Sequence, residues 1–189
     1  MKKSRTPIIG VMGPGSNATK EEIALAEHLG GLIAENQWRI LTGGMNTGVM
    51  NAALKGAKTR DSNCVTIGIL PHRGESELTS KYVDIPIPTG MGEGRNNLNV
   101  LTADYVVVCC NSLGSSPGTD SEFTFAIKHK KPLLCLYSKN YNLEDDFDEE
   151  YQARFRFLSE ELRHNRQICI TDPGNVVLIL KDWITEDSK

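Results

Sequence analysis

A three-layer α/β sandwich, with helices on both faces of a mostly parallel sheet of about seven strands, is the fold this 189-residue chain predicts. Two observations predict it. Short apolar runs alternate with amphipathic segments, the pattern of strands buried on both faces and joined by crossover helices. Several runs end in glycine-rich turns that open a helix, as strand-to-helix junctions do. The length suits a single domain over residues 1–189, large enough to bury a core without disulfides or metals.

The elements follow in order. Ile8 to Met12 is the first strand, and the loop Gly13-Pro14-Gly15-Ser16-Asn17-Ala18 follows it. Thr19 with Glu22 three residues on forms a capping box for a helix with Ile23, Ala26, Leu29, Leu32 and Ile33 on one face, ending near Asn36. Arg39 to Thr42 is the second strand, Val49 to about Lys58 the second helix, and Val65 to Leu70, closed by Pro71, the third strand. A polar loop from His72 to Lys81 leads to the run Tyr82 to Ile87, where Pro86 and Pro88 predict a short strand that soon leaves the ladder. A helix over about Gly94 to Thr102 precedes the strand Tyr105 to Cys110. The loop Asn111 to Asp120 precedes a helix from Ser121 to His129, and Pro132 to Leu136 is another strand. The acidic stretch Glu144 to Glu150 reads as the solvated start of an amphipathic helix with Phe147, Tyr151, Phe155, Leu158 and Leu162 at helical spacing. Gln167 to Ile170 is a last short strand, and Pro173 starts a helix toward Trp183.

Composition excludes several classes. A net charge of −3 leaves no basic patch for nucleic acid. No run approaches the roughly 18 apolar residues of a membrane span, and no apolar stretch follows Met1-Lys2-Lys3-Ser4-Arg5 to make a signal peptide. A cytoplasmic protein without membrane contact is expected. Cys64, Cys109, Cys110, Cys135 and Cys169 are odd in number, lack a C-x-x-C pair and fall in or beside apolar runs, so they read as reduced core thiols. Cys109 and Cys110, adjacent on one strand, should point to opposite faces. His28, His72, His129 and His164 show no ligand spacing, and no metal site is expected.

Open parallel sheets bind ligands beyond the carboxyl ends of their strands, where strand order reverses. The firmest local signal is the stretch Arg39 to Ala53: an apolar strand, the turn Gly43-Gly44, and a helix opening at Gly48. Unpaired N–H groups and the helix dipole there favour an anion such as phosphate. A P-loop would need Gly-Lys-Ser/Thr where Thr47-Gly48-Val49 stands, and the dinucleotide fingerprint would need glycine at Met45. A second loop, Gly114 to Thr119, again joins strand to helix, so two helix N-termini should face one crevice. The expected anion-binding set is therefore Gly13, Gly15, Ser16 and Asn17, then Gly43, Gly44, Asn46, Thr47 and Gly48, then Ser115, Ser116, Gly118 and Thr119. Arg95 adds a cation able to clamp a phosphate bidentately. Glu122, placed second in its helix, reads either as a capping carboxylate or as a participant in chemistry.

Thr42-Gly43-Gly44, Gly48-Val49-Met50, Ala53, Gly94-Arg95-Asn96 and Pro117-Gly118-Thr119-Asp120-Ser121-Glu122 together resemble the Rossmann-like Lonely Guy family of phosphoribohydrolases, long mislabelled as lysine decarboxylases. Within it, Ile67-Gly68-Ile69-Leu70-Pro71, Tyr82 to Gly90 and Gly94-Arg95-Asn96 are most similar to the branch containing the molybdenum cofactor carrier proteins. The resemblance covers roughly residues 7 to 136, and 137–189 looks like a less family-like extension of the same domain. It implies Arg95 and Glu122 as the catalytic pair if the chain is a hydrolase, cleaving the N-glycosidic bond of a nucleoside 5′-monophosphate through an oxocarbenium-like transition state.

The chain departs from the hydrolase pattern, which has Lys at the position of Asn96 and Pro-Gly-Gly where Leu113-Gly114-Ser115-Ser116-Pro117 stands. The serines keep hydrogen-bond donors for an anion, while the altered loop path would re-aim Glu122 and favours binding over turnover. The resemblance thus implies a carrier that binds and stores molybdenum cofactor, an anionic pterin with a terminal phosphate, as cargo without a protein-ligated metal. Molybdoenzymes or cofactor-synthesis proteins would be its partners, and a homodimer or homotetramer its assembly. A phosphoribohydrolase is the alternative and a nucleotide-sensing module a weaker one.

Overall fold

The computed structural model describes residues 5–74, 77–111, 114, 116–138, 167–170 and 172–188. Seven strands pair in parallel in one sheet of order β4-β3-β2-β1-β5-β6-β7. They are β1 (Ile8–Met12), β2 (Arg39–Thr42), β3 (Thr66–Leu70), β4 (Ile85–Pro88), β5 (Tyr105–Cys109), β6 (Leu133–Leu136) and β7 (Gln167–Ile170). The order places the switch point between β1 and β5, which run side by side from Ile9 opposite Tyr105 to Met12 opposite Val108. Chain leaves β1 toward one edge of the sheet and β5 toward the other, so the loops beyond their carboxyl ends diverge and leave a crevice.

Alternation along the strands divides the core in two. Ile9, Val11, Ile40, Val107, Cys109, Leu134 and Leu136 face α1 (Lys20–Glu35), α2 (Gly48–Arg60) and α5 (Pro173–Asp187). Met12, Leu41, Ile67, Ile69, Val106, Val108 and Leu133 pack on the opposite face with Val100 of α3 (Asn96–Thr102) and Phe123 and Ala126 of α4 (Pro117–Lys128). Cys109 and Cys110 sit in opposite clusters, as period-2 geometry requires, and both thiols are reduced. Burial pushes the Cys64 thiol up to about 11 and Cys109 higher still.

Beyond shifts of a residue or two at several element ends, three differences from the sequence reading stand out. The expected helix over Gly94–Thr102 is a 3-10 turn, Gly92–Arg95, running directly into α3. β4 keeps both prolines, because it is the edge strand, where missing donors are tolerated. The third is the helix expected from Ser121. It begins four residues earlier, at Pro117, whose fixed φ and absent N–H suit the first helical position. Glu122 is therefore the sixth residue of α4, beyond reach of the dipole at its start, and is not a capping carboxylate. The helix expected around Phe147 to Leu162, the acidic run before it and Ser115 lie outside the described residues.

α1 and α2 cross in backbone contact. A Cβ on Gly30 would lie 1.9 Å from the Ala53 carbonyl oxygen, and one on Gly56 would lie 1.8 Å from that of Glu27. The β1–α1 loop and Met50 of α2 border the crevice, so the spacing of these helices sets one of its walls. Gly30→Ala and Gly56→Ala are each expected to destabilise the fold by at least the ~1–3 kcal/mol typical of overpacking, because backbone cannot step aside. Gly31→Ala, which meets nothing closer than 3.6 Å, should stabilise by up to about 1 kcal/mol through helix propensity. Equilibrium unfolding in guanidinium distinguishes them; three equal effects would contradict this account.

Candidate functional site

The crevice beyond β1 and β5 holds a cavity of about 520 Å³. Gly13, Gly15, Ser16 and Asn17 line it from the β1–α1 loop, and Ser116, Pro117, Gly118, Thr119, Ser121 and Glu122 from α4. Glu93, Arg95 and Asn96 come from the 3-10 turn and the start of α3, while Met45, Met50 and Pro71 make an apolar wall. One side is thus polar and the other is thioether and proline.

A buried carboxylate joins the two loops at the switch point. Glu22 Oε2 accepts from the Thr19 N–H at 2.7 Å, completing the α1 capping box, while its Oε1 accepts from the Asn111 N–H at 2.7 Å. Asn111 in turn accepts from the Ser138 N–H at 2.8 Å. The capping box thus takes up two N–H groups at the start of α1. At the start of α2 the Val49 N–H donates to the Pro14 carbonyl at 3.0 Å.

α4 differs. Its N-cap residue, Ser116, makes no side-chain capping bond to the backbone; its hydroxyl accepts instead from Thr119 Oγ1 at 3.0 Å. The N–H groups of Gly118 and Thr119 have no intrahelical acceptor and border the cavity. Asp120 steadies the approach by accepting from the Gly114 N–H at 2.8 Å. This helix start borders the cavity, whereas Gly48 does not.

Gly43, Gly44, Asn46, Thr47 and Gly48 do not border the cavity. They serve packing close behind it. Gly48 combines a φ of +52° with a missing Cβ that would lie 2.1 Å from the Gly15 carbonyl oxygen. A Cβ on Gly43 would fall 2.6 Å from Arg95 Nη2, so bare backbone there makes room for the guanidinium. The Asn46 N–H donates to the Leu78 carbonyl. The glycine signal at this turn reports close packing around the site, a second use of the same residue type that sequence cannot separate from ligand contact.

Arg95 and Glu122, distant in sequence, meet at the buried base of the cavity, Arg95 Nη1 lying 3.5 Å from Glu122 Oε1. Asn99, which the sequence reading did not single out, donates from Nδ2 to the same oxygen at 2.6 Å. Its only sequence signal is its place one helical turn beyond Arg95 and Asn96 in a helix without charged residues. Asn96 accepts from Arg95 Nη1 at 2.5 Å, and its Nδ2 lies 3.1 Å from Glu93 Oε2 and 2.9 Å from Ser121 Oγ. Arg95 Nε and Asn99 Oδ1 are buried without partners among the described residues.

Burial pushes the Glu122 carboxyl up to about 7, against the Asn99 hydrogen bond and the Arg95 charge, which hold it down, while Glu93 adds to the rise. Unfolded, the same group ionises near 4.5. Between those values the unfolded chain binds fewer protons, so stability falls as pH rises through that window. Glu122→Gln should remove this slope and leave the protein more stable than wild type at pH 8, by roughly 3 kcal/mol at most. Thermal or denaturant unfolding from pH 4.5 to 8 checks it, and parallel curves for the two proteins would contradict it.

The comparisons agree with this architecture. Among solved structures, a molybdenum cofactor binding protein from the phototrophic bacterium Rippkaea orientalis superposes with a TM-score of 0.79 at 41% identity, covering 96% of this chain and 99% of that one. The molybdenum cofactor carrier protein of Chlamydomonas reinhardtii superposes with a TM-score of 0.75 at 35% identity over the same shares. An uncharacterized protein of Archaeoglobus fulgidus is 36% identical over 128 residues, 68% of this chain and 78% of its own. The SLOG cluster4 family model matches residues 6–164, which span every described residue that lines the cavity, and the chain belongs to that family.

Proposed function

We propose that this protein binds molybdenum cofactor as cargo, stores it and delivers it unchanged. The observation that carries the reading is the two-sided cavity. The open start of α4 and Arg95 offer N–H and guanidinium donors to a phosphate, while Met45, Met50 and Pro71 offer a flat apolar wall to a ring system. A volume of about 520 Å³ suits a ligand of that size. The names of the Rippkaea orientalis and Chlamydomonas reinhardtii relatives support the same ligand. On this reading the protein acts in the cytoplasm as a homodimer or homotetramer and hands its cargo to molybdoenzymes or takes it from cofactor-synthesis proteins.

Cleavage of a nucleoside 5′-monophosphate is the second reading, favoured by the meeting of Arg95 and Glu122 at the cavity base. A carboxylate that stabilises an oxocarbenium ion must be ionised and aimed at the sugar. Here the carboxyl is raised to about 7 and held from behind by Asn99, which favours holding over cleaving. Two assays separate the readings. Saturable binding of molybdenum cofactor, with reconstitution of a cofactor-free molybdoenzyme, is expected for the carrier, and Arg95→Met should weaken retention about ten- to a hundredfold. Release of adenine and ribose 5-phosphate from AMP, abolished by Glu122→Gln, would replace the carrier by the enzyme. Nucleotide binding with neither cargo nor turnover would leave a sensor.

A further inference from the structure

We infer that Glu122 makes anion binding at this site proton-linked: an anion is accepted on Arg95 together with a proton on the Glu122 carboxyl, which Asn99 positions. The inference rests on reading the cavity as an anion site and goes beyond it, to which charge state is loaded and what releases it.

The lining is electrostatically inverted for its task. Among the described residues that border the cavity, the charged groups are Glu93, Arg95 and Glu122, two carboxylates against one cation. Arg95 cannot turn away from Glu122, because Nη1 is held by Asn96 at 2.5 Å and the guanidinium lies against Gly43. Asn96 is itself fixed, its Nδ2 lying near Glu93, the Gly118 carbonyl and Ser121. Glu122 cannot turn away either, being buried and held by Asn99 at 2.6 Å. An anion bonded to Arg95 therefore sits close to a carboxylate that is itself 3.5 Å from the same guanidinium. Two negative charges sharing one guanidinium repel each other, and protonating one of them relieves that repulsion.

Glu122 is the group suited to take the proton. Facing it are Arg95 and Glu93 from the 3-10 turn and the uncharged Asn99 from α3; the cavity-lining residues of the β1–α1 loop, of α2 and of the start of α4 carry no charge. Burial already raises its carboxyl to about 7, so the proton is within reach near neutrality. As pH rises, the carboxylate forms, takes Arg95 as its partner and competes with the ligand. Asn99 acts through Glu122, since its hydrogen bond favours the ionised form and thereby sets the pH at which competition begins.

Sulfate is the probe, a tetrahedral dianion that does not titrate near neutrality. Its affinity for the full chain is measured calorimetrically from pH 6 to 8.5, in pairs of buffers with different ionisation heats so that bound protons are counted. Wild type should take up a fraction of a proton that grows toward one, and above about 7 its affinity should fall by up to tenfold per pH unit. Glu122→Gln should bind with a flat pH profile and no proton uptake. Asn99→Leu should keep the linkage but move its midpoint to higher pH, a shift that mere loosening of the fold does not produce. A flat wild-type profile, or undiminished uptake in Glu122→Gln, overturns the inference. Sulfate binding that Arg95→Met weakens but pH does not affect removes the inference and leaves the anion site standing. No sulfate binding, or binding indifferent to Arg95→Met, removes both.

Discussion

One buried carboxylate holds the crevice together. A parallel sheet that reverses its strand order opens at its carboxyl edge, because α1 and α4, the helices following the two central strands, pack on opposite faces. Glu22 spans that opening. One oxygen closes the first turn of α1 and the other takes the Asn111 N–H just beyond β5. Both bonds are charge-assisted and shielded from water, so losing the carboxylate would leave two donors unmet and two loops free to part.

Function then turns on which helix ends are used up by the fold. α1 is capped by its own box and α2 donates to the Pro14 carbonyl, so neither presents a full set of free N–H groups. α4 begins on a serine whose hydroxyl is turned to Thr119, and its first N–H groups border the cavity. Opposite stand Met45, Met50 and Pro71, side chains that accept a flat apolar surface without demanding hydrogen bonds. Two carboxylates against one cation border the same cavity, and burial, with a smaller contribution from Glu93, gives Glu122 its raised proton affinity.

Most of the fold was legible because its signals are local. The apolar runs at Ile8–Met12, Arg39–Thr42 and Gln167–Ile170 begin and end where the sequence reading puts them, and Thr19 with Glu22 forms the capping box their spacing predicts. Misplacement of the α4 start had a local cause: Gly118 and Thr119 read as loop residues, while the stronger cue was Pro117 at the first helical position. That shift changed the chemistry assigned to Glu122, from a dipole-stabilised cap to a buried acid.

The sequence by itself determined the fold class, the edge of the sheet where the cavity opens, and the presence there of Arg95, Glu122 and two glycine-rich loops. Strand periodicity, caps and turns are properties of a few neighbouring residues, and the switch-point rule converts them into a place. Only the tertiary structure decided which glycines touch the cavity and which, like Gly43 and Gly48, make room for a guanidinium or a passing carbonyl. Only it brought Asn99 onto Glu122 and set the start of α4 against the cavity while the capping box took up N–H groups of α1. Those are matters of what lies within hydrogen-bond reach across the fold, and a chain acquires such neighbours only when its sheet has paired and its helices have packed.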